Sequence, residues 1–490
     1  MWSESLYTAA EMRAAEEAYE GPTLDLMERA GAATAETALR QYPEARRFTV
    51  WCGAGSNGGD GLVVARNLRQ SGRDVVVRLA GPESKFEGDA AQMLARARAS
   101  DVRFAEDAGQ PDLVIDAVFG TGFRGAPRRE AARLLEQMAS FSAPVLAVDV
   151  PSGIDASTGE VAGWAVTAER TVTFHAPKVG LVVAPGRFHA GEVEVADIGL
   201  AQTQTRHNSV SGEILDLVPR RSAKDNKYSA GSVLVVGGST GFTGAPSLTA
   251  EAALRSGAGY VAACVPASLN VVFEQRLLEV VTRPCPDEGG VLKVDAADVV
   301  LDAAERAGAI ALGPGLGRTD ATRALVGFLL DRLDKPIVLD ADALWALTGN
   351  LDWVFSRDAP TVLTPHAGEL GRLLGRESKW VDAHRLDAVQ AGADDVGATV
   401  LLKGADTLVA SPGRGVLVCD LGNPGLASAG TGDVLTGVVA TFLAKGLEPR
   451  LAAAAAAAAG GIAAGLAAEA HGFAGLVASD VVEALSPALS

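Results

Sequence analysis

A segment near the end of the chain combines the residue types that phosphoryl transfer requires. Asn423 to Gly437 reads NPGLASAGTGDVLTG, and its small residues 429–432 predict a turn that leads into a helix near Asp433. Such a turn directs several backbone N–H groups at one point, which makes an anion hole for a moving phosphoryl group. Asp433 follows, where a carboxylate can take the proton of a substrate hydroxyl as a general base. Asp is also a favoured helix N-cap, but a cap does not need the preceding glycines, so the catalytic interpretation is favoured.

Other loops of the second half have residues that suit a ligand. Lys403 to Thr407 (KGADT) and Thr364 to Glu369 (TPHAGE) both follow predicted strands, as does Gly313 to Gly317 (GPGLG). Lys403 suits a nucleotide phosphate, although a solvated surface Lys is the ordinary alternative. A single His is usually structural, but His366 lies in a Pro- and Gly-bracketed loop at the expected ligand edge. Two further turns, at 237–239 and 243–246, are expected at the same ligand edge of the sheet.

The first half has its own glycine-rich turn between a strand and a helix. Gly53 to Gly61 (GAGSNGGDG) contains five glycines, which allow a ligand to approach the backbone closely. The N-terminus of the following helix favours a phosphate. The segment matches neither the dinucleotide-binding fingerprint nor a Walker motif, because the spacings fail and no Lys follows.

Two acidic loops in the first half strengthen the prediction of a ligand site there. Asp116 to Gly122 (DAVFGTG) and Asp149 to Asp155 (DVPSGID) each follow a predicted strand. A buried carboxylate is costly unless it is paired, hydrogen-bonded or bound to a cation. An isolated Asp would be read as a cap, but three convergent loops favour a site. Asn57, Asp116 and Ser152 all offer hard oxygen donors, so they predict a bound monovalent or divalent cation.

These loops must be positioned by alternating strands and helices, which predict an α/β fold with parallel sheets in two domains. Ligands bind such sheets beyond the carboxyl ends of the strands, where all these motifs lie. The polar, aperiodic stretch 201–211 predicts a boundary, so the domains are expected at 1–210 and 211–490. The predicted strands are 48–52, 74–80, 112–120, 144–150, 169–174, 192–198, 231–239, 260–266, 309–315, 336–342, 360–366, 399–404 and 415–420. The predicted helices are 62–70, 128–140, 246–256, 319–333 and a long C-terminal region.

Composition restricts the partners of the protein. A chain of 490 residues is too long for one ordinary hydrophobic core, and its net charge of −17 argues against a nucleic-acid partner. Anionic small ligands remain compatible, because local backbone N–H groups can bind phosphate in an acidic protein. We expect a homo-oligomer, since the Ala- and Gly-rich helices could pack across subunits.

The sequence also predicts a cytoplasmic protein without a membrane partner. The four cysteines are far apart and show no metal-ligand spacing, and the charged first twenty residues do not predict a signal peptide. The uncharged stretch 451–468 is long enough to span a membrane, but it is nearly all Ala and Gly. Because strong insertion requires Leu, Ile, Phe and Val, we interpret it as a small-residue helix inside a domain.

The motifs of the first half resemble the NAD(P)H-hydrate epimerase domain over most of residues 1–205. The resemblance rests on N-G-G-D-G, D-x-x-F-G-T-G and V-D-x-P-S-G in that order. It implies a K⁺ ion bound by Asn57, Asp116 and Ser152, and Asp149 as the acid/base at the hydrated ring. Ser56 stands where the family usually has Asn. The implied contacts of the hydrated nucleotide are Ser56, Asn57, Gly58, Gly59, Asp60, Gly120, Thr121, Gly122, Phe123, Arg124, Gly125 and Ala126.

The motifs of the second half resemble the ADP-dependent NAD(P)H-hydrate dehydratases, a branch of the ribokinase-like superfamily, over about 213–490. The resemblance rests on G-P-G-L-G, T-P-H-x-G-E, K-G-x-x-T and G-T-G-D. Ala367 replaces the usual Pro of T-P-H-P-G-E. The implied contacts of the adenine nucleotide are Lys403, Gly404, Ala405, Asp406, Thr407, Gly430, Thr431 and Gly432. The implied contacts of the hydrate are Ala245, Gly317, His366 and Asp433.

Together the halves resemble the bifunctional NAD(P)H-hydrate repair enzymes. The resemblance implies a Rossmann-like three-layer αβα sandwich followed by a ribokinase-like αβα domain. It implies epimerisation of R and S hydrates of NADH and NADPH (NADHX and NADPHX). It also implies dehydration of the S form with ADP and Mg²⁺, giving AMP and phosphate. Two alternatives remain open at this point, namely a small-molecule kinase of the ribokinase-like superfamily and a non-catalytic N-terminal binding module.

Overall fold

The computed structural model describes residues 1–107 and 109–490. Their contacts divide the chain into two compact units. The N-terminal unit is Ser5–His207, and the C-terminal unit combines Met1–Glu4 with Asn208–Ser490. The chain opens with the short strand β1 (Ser3–Leu6), which belongs to the sheet of the C-terminal unit.

A seven-stranded sheet with only parallel pairings forms the centre of the N-terminal unit, in the order β4-β3-β2-β5-β6-β7-β8. Its central strands are runs of buried aliphatic residues, as expected for a parallel sheet covered by helices on both faces. The strands are β2 (Arg47–Cys52), β3 (Asp74–Leu79), β4 (Arg103–Phe104), β5 (Leu113–Ala117), β6 (Val145–Val148), β7 (Arg170–Phe174) and β8 (Glu192–Ala196). The helices are α1 (Ala9–Glu17), α2 (Thr23–Gln41), α3 (Ser56–Gln70), α4 (Gly88–Arg98), α5 (Arg129–Ala139), α6 (Val179–Val182) and α7 (Arg187–Ala190).

The C-terminal unit contains an eleven-stranded sheet, in the order β1-β9-β20-β19-β18-β17-β16-β15-β10-β11-β12. Its strands are β9 (His207–Val210), β10 (Ser232–Val236), β11 (Tyr260–Pro266), β12 (Val281–Cys285), β15 (Ala309–Leu312), β16 (Ile337–Leu339), β17 (Thr361–Leu363), β18 (Thr399–Leu402), β19 (Thr407–Ala410) and β20 (Leu417–Cys419). Two residues each form β13 (Asp287–Glu288) and β14 (Val291–Leu292), a separate antiparallel pair.

The helices of the C-terminal unit cover this sheet. They are α8 (Gly244–Arg255), α9 (Asn270–Arg276), α10 (Ala297–Ala304), α11 (Asp320–Arg332), α12 (Asp342–Ala346), α13 (Asp352–Phe355), α14 (Ala367–Leu373), α15 (Ser378–Ala383), α16 (Arg385–Val396), α17 (Thr431–Ala444), α18 (Pro449–His471) and α19 (Ala478–Ala488).

The structure confirms the α/β class and the predicted strands, but it corrects several details. The C-terminal sheet is mixed, because β19 runs antiparallel to both β18 and β20. The predicted boundary stretch contains β9, which pairs in parallel with β20. Two helices begin earlier than predicted. Helix α3 begins at Ser56 instead of Leu62, and α17 begins at Thr431, so the expected turn 429–432 is partly the first turn of that helix.

Helix α18 is long and apolar enough to cross a membrane by length and composition. In this fold, however, 61% of its most apolar window is buried. Most of its alanines, among them Ala452 to Ala456, are fully buried in the core of the C-terminal unit. The prediction of a small-residue helix packed inside a domain is therefore confirmed.

Candidate active sites

The N-terminal site lies at the carboxyl ends of β2, β5 and β6. Helix α3 approaches the turn after β2 so closely that a Cβ atom on Gly58 would lie 1.6 Å from the Gly53 carbonyl oxygen. No side chain caps α3, so its first-turn N–H groups are available to a ligand. The loop 120–126 lies beside this turn, since a Cβ on Gly120 would be 3.1 Å from Asn57. The Phe119 and Phe123 rings stack there at 4.7 Å.

A buried carboxylate joins two of the predicted loops. The Asp116 Oδ2 atom accepts the Ser152 N–H at 2.7 Å, and Oδ1 accepts the Ser152 hydroxyl at 2.6 Å. The Ser152 Oγ in turn accepts the Phe119 N–H at 2.8 Å. Asp116 is fully buried. Burial raises the pKa of Asp116 to about 6, although the hydrogen bonds from Ser152 and Val118 act in the opposite direction.

Asn57 completes an oxygen-rich cluster that fits a cation. Its Nδ2 donates to the Phe119 carbonyl at 3.0 Å, whereas its buried Oδ1 has no hydrogen-bond partner in the described part of the chain. A buried acceptor without a donor is costly, and a cation would satisfy it. Asn57, Asp116 and Ser152 together offer the hard oxygen ligands that K⁺ prefers, so the donor set fits the expected ion.

Asp149 is held in an unusual conformation after β6. Its φ of +66° lies in the left-handed region, which non-glycine residues rarely adopt. Its Oδ1 lies 2.7 Å from the Lys178 Nζ and accepts the Thr173 hydroxyl at 3.1 Å. Lys178 belongs to none of the predicted motifs. The available signal was a Lys placed in A-P-K-V-G shortly after a predicted strand.

Two further carboxyl groups are electrostatically coupled to Asp149. Asp60 is buried, and its pKa is raised well above the ordinary value by burial and by the charges of Asp149 and Glu16. The Lys178 charge opposes this rise. Burial and the Asp149 charge also raise the pKa of Glu16. The site therefore places an ion-paired Asp149 near carboxyl groups that favour the protonated form.

The C-terminal site is built on the first turn of α17. Gly430 precedes this helix with a φ of +94°, a conformation that favours glycine, and no side chain caps the helix. The N–H groups of Gly432 and Asp433 accordingly belong to the group of first-turn amides that lack an intrahelical acceptor. Asp433 is the third residue of the helix, so it is not the N-cap.

Asp433 has the electrostatic surroundings of a general base. Burial and the nearby charge of Asp340 raise its pKa to about 7, and Asp342 and Glu369 contribute in the same direction. The Lys403 charge acts in the opposite direction. A pKa near the working pH suits a group that must both accept and release a proton.

Lys403 lies beside the first turn of α17, where its ammonium group is already paired with protein carboxylates. Its Nζ donates to Asp340 Oδ1 at 2.9 Å and lies 3.9 Å from Glu369 Oε2. A Cβ on Gly432 would be only 3.2 Å from this Nζ. Burial lowers the Lys403 pKa, but the carboxylates of Asp340 and Glu369 outweigh this effect and raise it. A cation and amide donors thus converge at Gly432.

His366 has a structural role at the N-terminus of α14. Its Nδ1 accepts the Gly368 N–H at 3.0 Å, and the His366 backbone N–H donates to Glu369 Oε2 at 2.9 Å. Because Nδ1 is an acceptor, the neutral ring carries its proton on Nε2. Burial is the main cause that lowers the pKa of His366, which keeps the ring neutral. The half-exposed ring can therefore donate to a ligand while it caps the helix.

The buried side chain of Arg385 fixes the loop from Lys403 to Thr407 from its interior side. The Arg385 Nε lies 2.9 Å from Asp406 Oδ1, and both side chains are buried. A Cβ on Gly404 would meet the same guanidinium group at 2.4 Å. The Asp406 carboxylate consequently faces the interior, which leaves backbone groups and Thr407 for a ligand. Arg385 was missed because its buried ion pair has no local sequence signature. Asp340 was missed although it follows β16, the same kind of position that singled out Asp116 and Asp149.

The remaining predicted contacts lie in neighbouring turns of the C-terminal unit. Ala245 is in the first turn of α8, and a Cβ on Gly315 would lie 3.5 Å from its side chain. The Gly317 N–H already donates to Asp342 Oδ2 at 2.8 Å. The other oxygen of this carboxylate accepts from Arg318 at 3.0 Å.

Comparisons with known proteins match both units. A family model described as NAD(P)H-hydrate dehydratase matches residues 233–487, and one described as the N-terminus of YjeF-related proteins matches residues 23–180. The bifunctional NAD(P)H-hydrate repair enzyme of Moorella thermoacetica is 40% identical, over 98% of this chain and 96% of its own. The Escherichia coli enzyme of the same name is 35% identical, over 94% and 88% respectively.

A solved structure supports the fold of the larger unit. A ribokinase-like superfamily protein from Enterococcus faecalis matches with a TM-score of 0.50 and 24% identity, over 59% of this chain and 97% of its own. The predicted ribokinase-like fold is thereby confirmed. Given these matches and the two sites, the chain belongs to the family of bifunctional NAD(P)H-hydrate repair enzymes, with an epimerase-like unit followed by a dehydratase unit.

Proposed function

We propose that the two sites act in succession on hydrated NADH and NADPH. The epimerase domain, 1–210, interconverts the R and S hydrates, and the dehydratase domain, 211–490, returns the S hydrate to NADH or NADPH. ADP supplies the phosphoryl group and leaves as AMP. The observation that carries this proposal is the convergence of Asp433, the first-turn amides of α17 and the Lys403 ammonium group.

The dehydration step follows from this arrangement. Asp433 takes the proton of the C6 hydroxyl as its oxygen attacks the β-phosphorus of ADP. The amides of Gly432 and Asp433, with the Lys403 ammonium, stabilise charge on the transferring group. The C6–O bond then breaks as the ring nitrogen lone pair forms an iminium, phosphate leaves, and loss of a C5 proton restores the reduced ring. Phosphorylation is useful because phosphate is a better leaving group than hydroxide.

Nucleotide and hydrate contacts are proposed from the same site. Lys403, Gly404, Ala405, Thr407, Gly430, Thr431 and Gly432 contact the nucleotide, with Asp406 supporting the loop through Arg385. Ala245, Gly317, His366 and Asp433 contact the hydrate. Mg²⁺ would neutralise phosphate charge. Because Asp340 and Asp342 are engaged by Lys403, Thr436, Gly317 and Arg318, that ion would be held mainly by phosphates and water.

The N-terminal site is proposed to perform the epimerisation. Asp149 acts as acid and base at the hydrated ring, and the turn Ser56–Asp60 and loop Gly120–Ala126 hold the dinucleotide. K⁺ would be held by Asn57, Asp116 and Ser152. We further propose a cytoplasmic homo-oligomer. The four free, buried cysteines support a reducing compartment.

An absorbance assay tests the proposal directly. The purified chain is incubated with mixed hydrates of NADH and with ADP, and recovery of the reduced-nicotinamide band is followed. Full recovery of both epimers requires both sites, and omission of ADP leaves only epimerisation, measured by chromatographic separation of R and S forms. A stable phosphorylated product without recovery of NADH would instead identify a small-molecule kinase.

A further inference from the structure

We propose that Lys178 is a positioning residue for epimerisation, which orients Asp149 so that Oδ2 is the oxygen that meets the substrate. This inference rests on the proposed catalytic role of Asp149. It assigns a function to a fully buried cation that none of the predicted motifs includes.

The ammonium group of Lys178 has no donor left for a substrate. A Lys side chain carries three N–H donors. Here they meet Asp149 Oδ1 at 2.7 Å, the Thr173 hydroxyl at 2.9 Å and the Phe174 carbonyl oxygen at 2.7 Å. All three acceptors belong to the protein. Lys178 therefore acts through Asp149 and does not bind the substrate itself.

The contacts of Asp149 divide its two oxygens into different roles. The Lys178 ammonium and the Thr173 hydroxyl both meet Oδ1. Within the described residues, Oδ2 has no such contact, and 12% of the side chain is exposed. The backbone is fixed as well, because the Asp149 N–H donates to the Val172 carbonyl at 2.7 Å. The carboxylate is thus held through Oδ1, which leaves Oδ2 for the substrate.

The position of Lys178 is itself fixed on both sides by the backbone of Tyr7. The Tyr7 N–H donates to the Pro177 carbonyl at 2.9 Å, and the Val179 N–H donates to the Tyr7 carbonyl at 3.1 Å. The Lys178 side chain is thus held at its backbone and at all three donors. This restraint limits its movement and keeps the Asp149 carboxylate in one orientation. This degree of restraint is typical of support for a reacting group.

The same cation lies among other titratable groups that face Asp149. The Asp149 charge contributes to the raised pKa values of Asp60 on α3 and Glu16 on α1. Burial and the Lys178 charge lower the pKa of His175. Without Lys178, the negative charge of Asp149 would be opposed by burial and by these carboxylates.

Epimerase assays of three full-length variants test this role. We compare Lys178→Met, Asp149→Asn and the double variant, with Lys85→Met as a matched control at an exposed lysine. Lys178→Met is expected to lose about a hundredfold or more in kcat with little change in KM. The Asp149→Asn background should show no further loss when Lys178 is also replaced, and thermal unfolding of the same chains reports folding.

Chemical rescue covers the case in which Lys178→Met does not fold. Ethylammonium added to Lys178→Ala should restore epimerisation in a concentration-dependent way while leaving Lys85→Met unchanged. If Asp149→Asn is inactive while Lys178→Met keeps the wild-type rate, this inference alone is overturned. An active Asp149→Asn would instead overturn the proposed role of Asp149. Additive losses in the double variant would show that Lys178 does not act through Asp149.

Discussion

The Lys403 ammonium lies 2.9 Å from Asp340 Oδ1, and the other oxygen of this carboxylate accepts the Thr436 hydroxyl at 2.7 Å. Asp340 follows β16, Lys403 follows β18 and Thr436 lies on α17. One buried carboxylate therefore connects two strand ends to the helix that carries Asp433. This connection fixes the cation at Gly432 before any ligand arrives.

Replacement of Asp340 by Asn should weaken both nucleotide binding and stability. Removal of one partner from a buried ion pair costs about 3–5 kcal/mol. The cost should be smaller here, because the Lys403 side chain is 21% exposed. With Lys403 no longer fixed, KM for ADP should rise by about tenfold or more. Urea unfolding and steady-state kinetics measure the two effects. An unchanged KM would show that Lys403 does not need Asp340 to meet the phosphate.

The dehydratase rate should rise as pH increases through about 7. The pKa of Asp433 is raised to about 7, and the carboxylate must be unprotonated to accept the hydroxyl proton. A raised carboxyl pKa therefore places the acid limb near neutrality, far above the ordinary Asp value. The Asp340→Asn variant removes a charge that raises this pKa, so its acid limb should move to lower pH.

Replacement of Asp433 by Asn should lower dehydratase turnover by about a hundredfold to ten-thousandfold, the usual contribution of general acid–base catalysis. Epimerisation should remain intact, because the reacting groups proposed for it all lie in the N-terminal unit. Both activities are measured on the same purified chain with and without ADP. An equal loss of both would contradict separate sites.

The Gly432→Ala variant should fold but lose nucleotide-dependent activity. A Cβ at Gly432 would lie 3.2 Å from the Lys403 Nζ, where the phosphoryl group is proposed to bind. Gly460→Ala is a matched control in α18, because a Cβ there meets nothing within 4 Å. The control should gain up to about 1 kcal/mol, as expected for Ala in a helix interior. Equal dehydratase rates in the two variants would contradict the anion hole.

Epimerisation should depend on K⁺ through Asn57. The Asn57→Ala variant removes the buried Oδ1, so the rate difference between KCl and choline chloride should largely disappear. Asn67→Ala, on the same helix α3 and away from the cluster, serves as the control and should keep the full difference. A wild-type response to K⁺ in Asn57→Ala would rule out this oxygen as a ligand.

Local patterns predicted the strands well because buried parallel strands are continuous aliphatic runs. The predicted strand Tyr260–Pro266 matches β11 at both ends. Strand β9 was missed because His207 to Val210 is mostly polar, and its pairing depends on the distant β20. Strand β19 was missed because Thr407 was assigned to a ligand loop, whereas it begins a strand antiparallel to β18.

The candidate loops of both sites could be identified from the sequence, whereas several residues that support them could not. Asn57 lies on α3, Asp116 in β5 and Ser152 after β6, and the structure brings these segments together, as expected at the carboxyl ends of neighbouring parallel strands. Lys178 and Arg385 were not predicted, because their importance comes from partners distant in sequence or hidden by burial. Only the folded structure shows which carboxylates these cations meet.

Helix α17 also affects how such a site can diverge in evolution. Its first turn carries the amides and Asp433, while Val434, Val438 and Phe442 farther along anchor it in the core. The separation between proton acceptor and phosphate-facing amides is consequently set by the pitch of one rigid element. Surrounding loops can diverge to accommodate a different alcohol without disturbing that spacing, which allows one scaffold to serve many acceptor molecules.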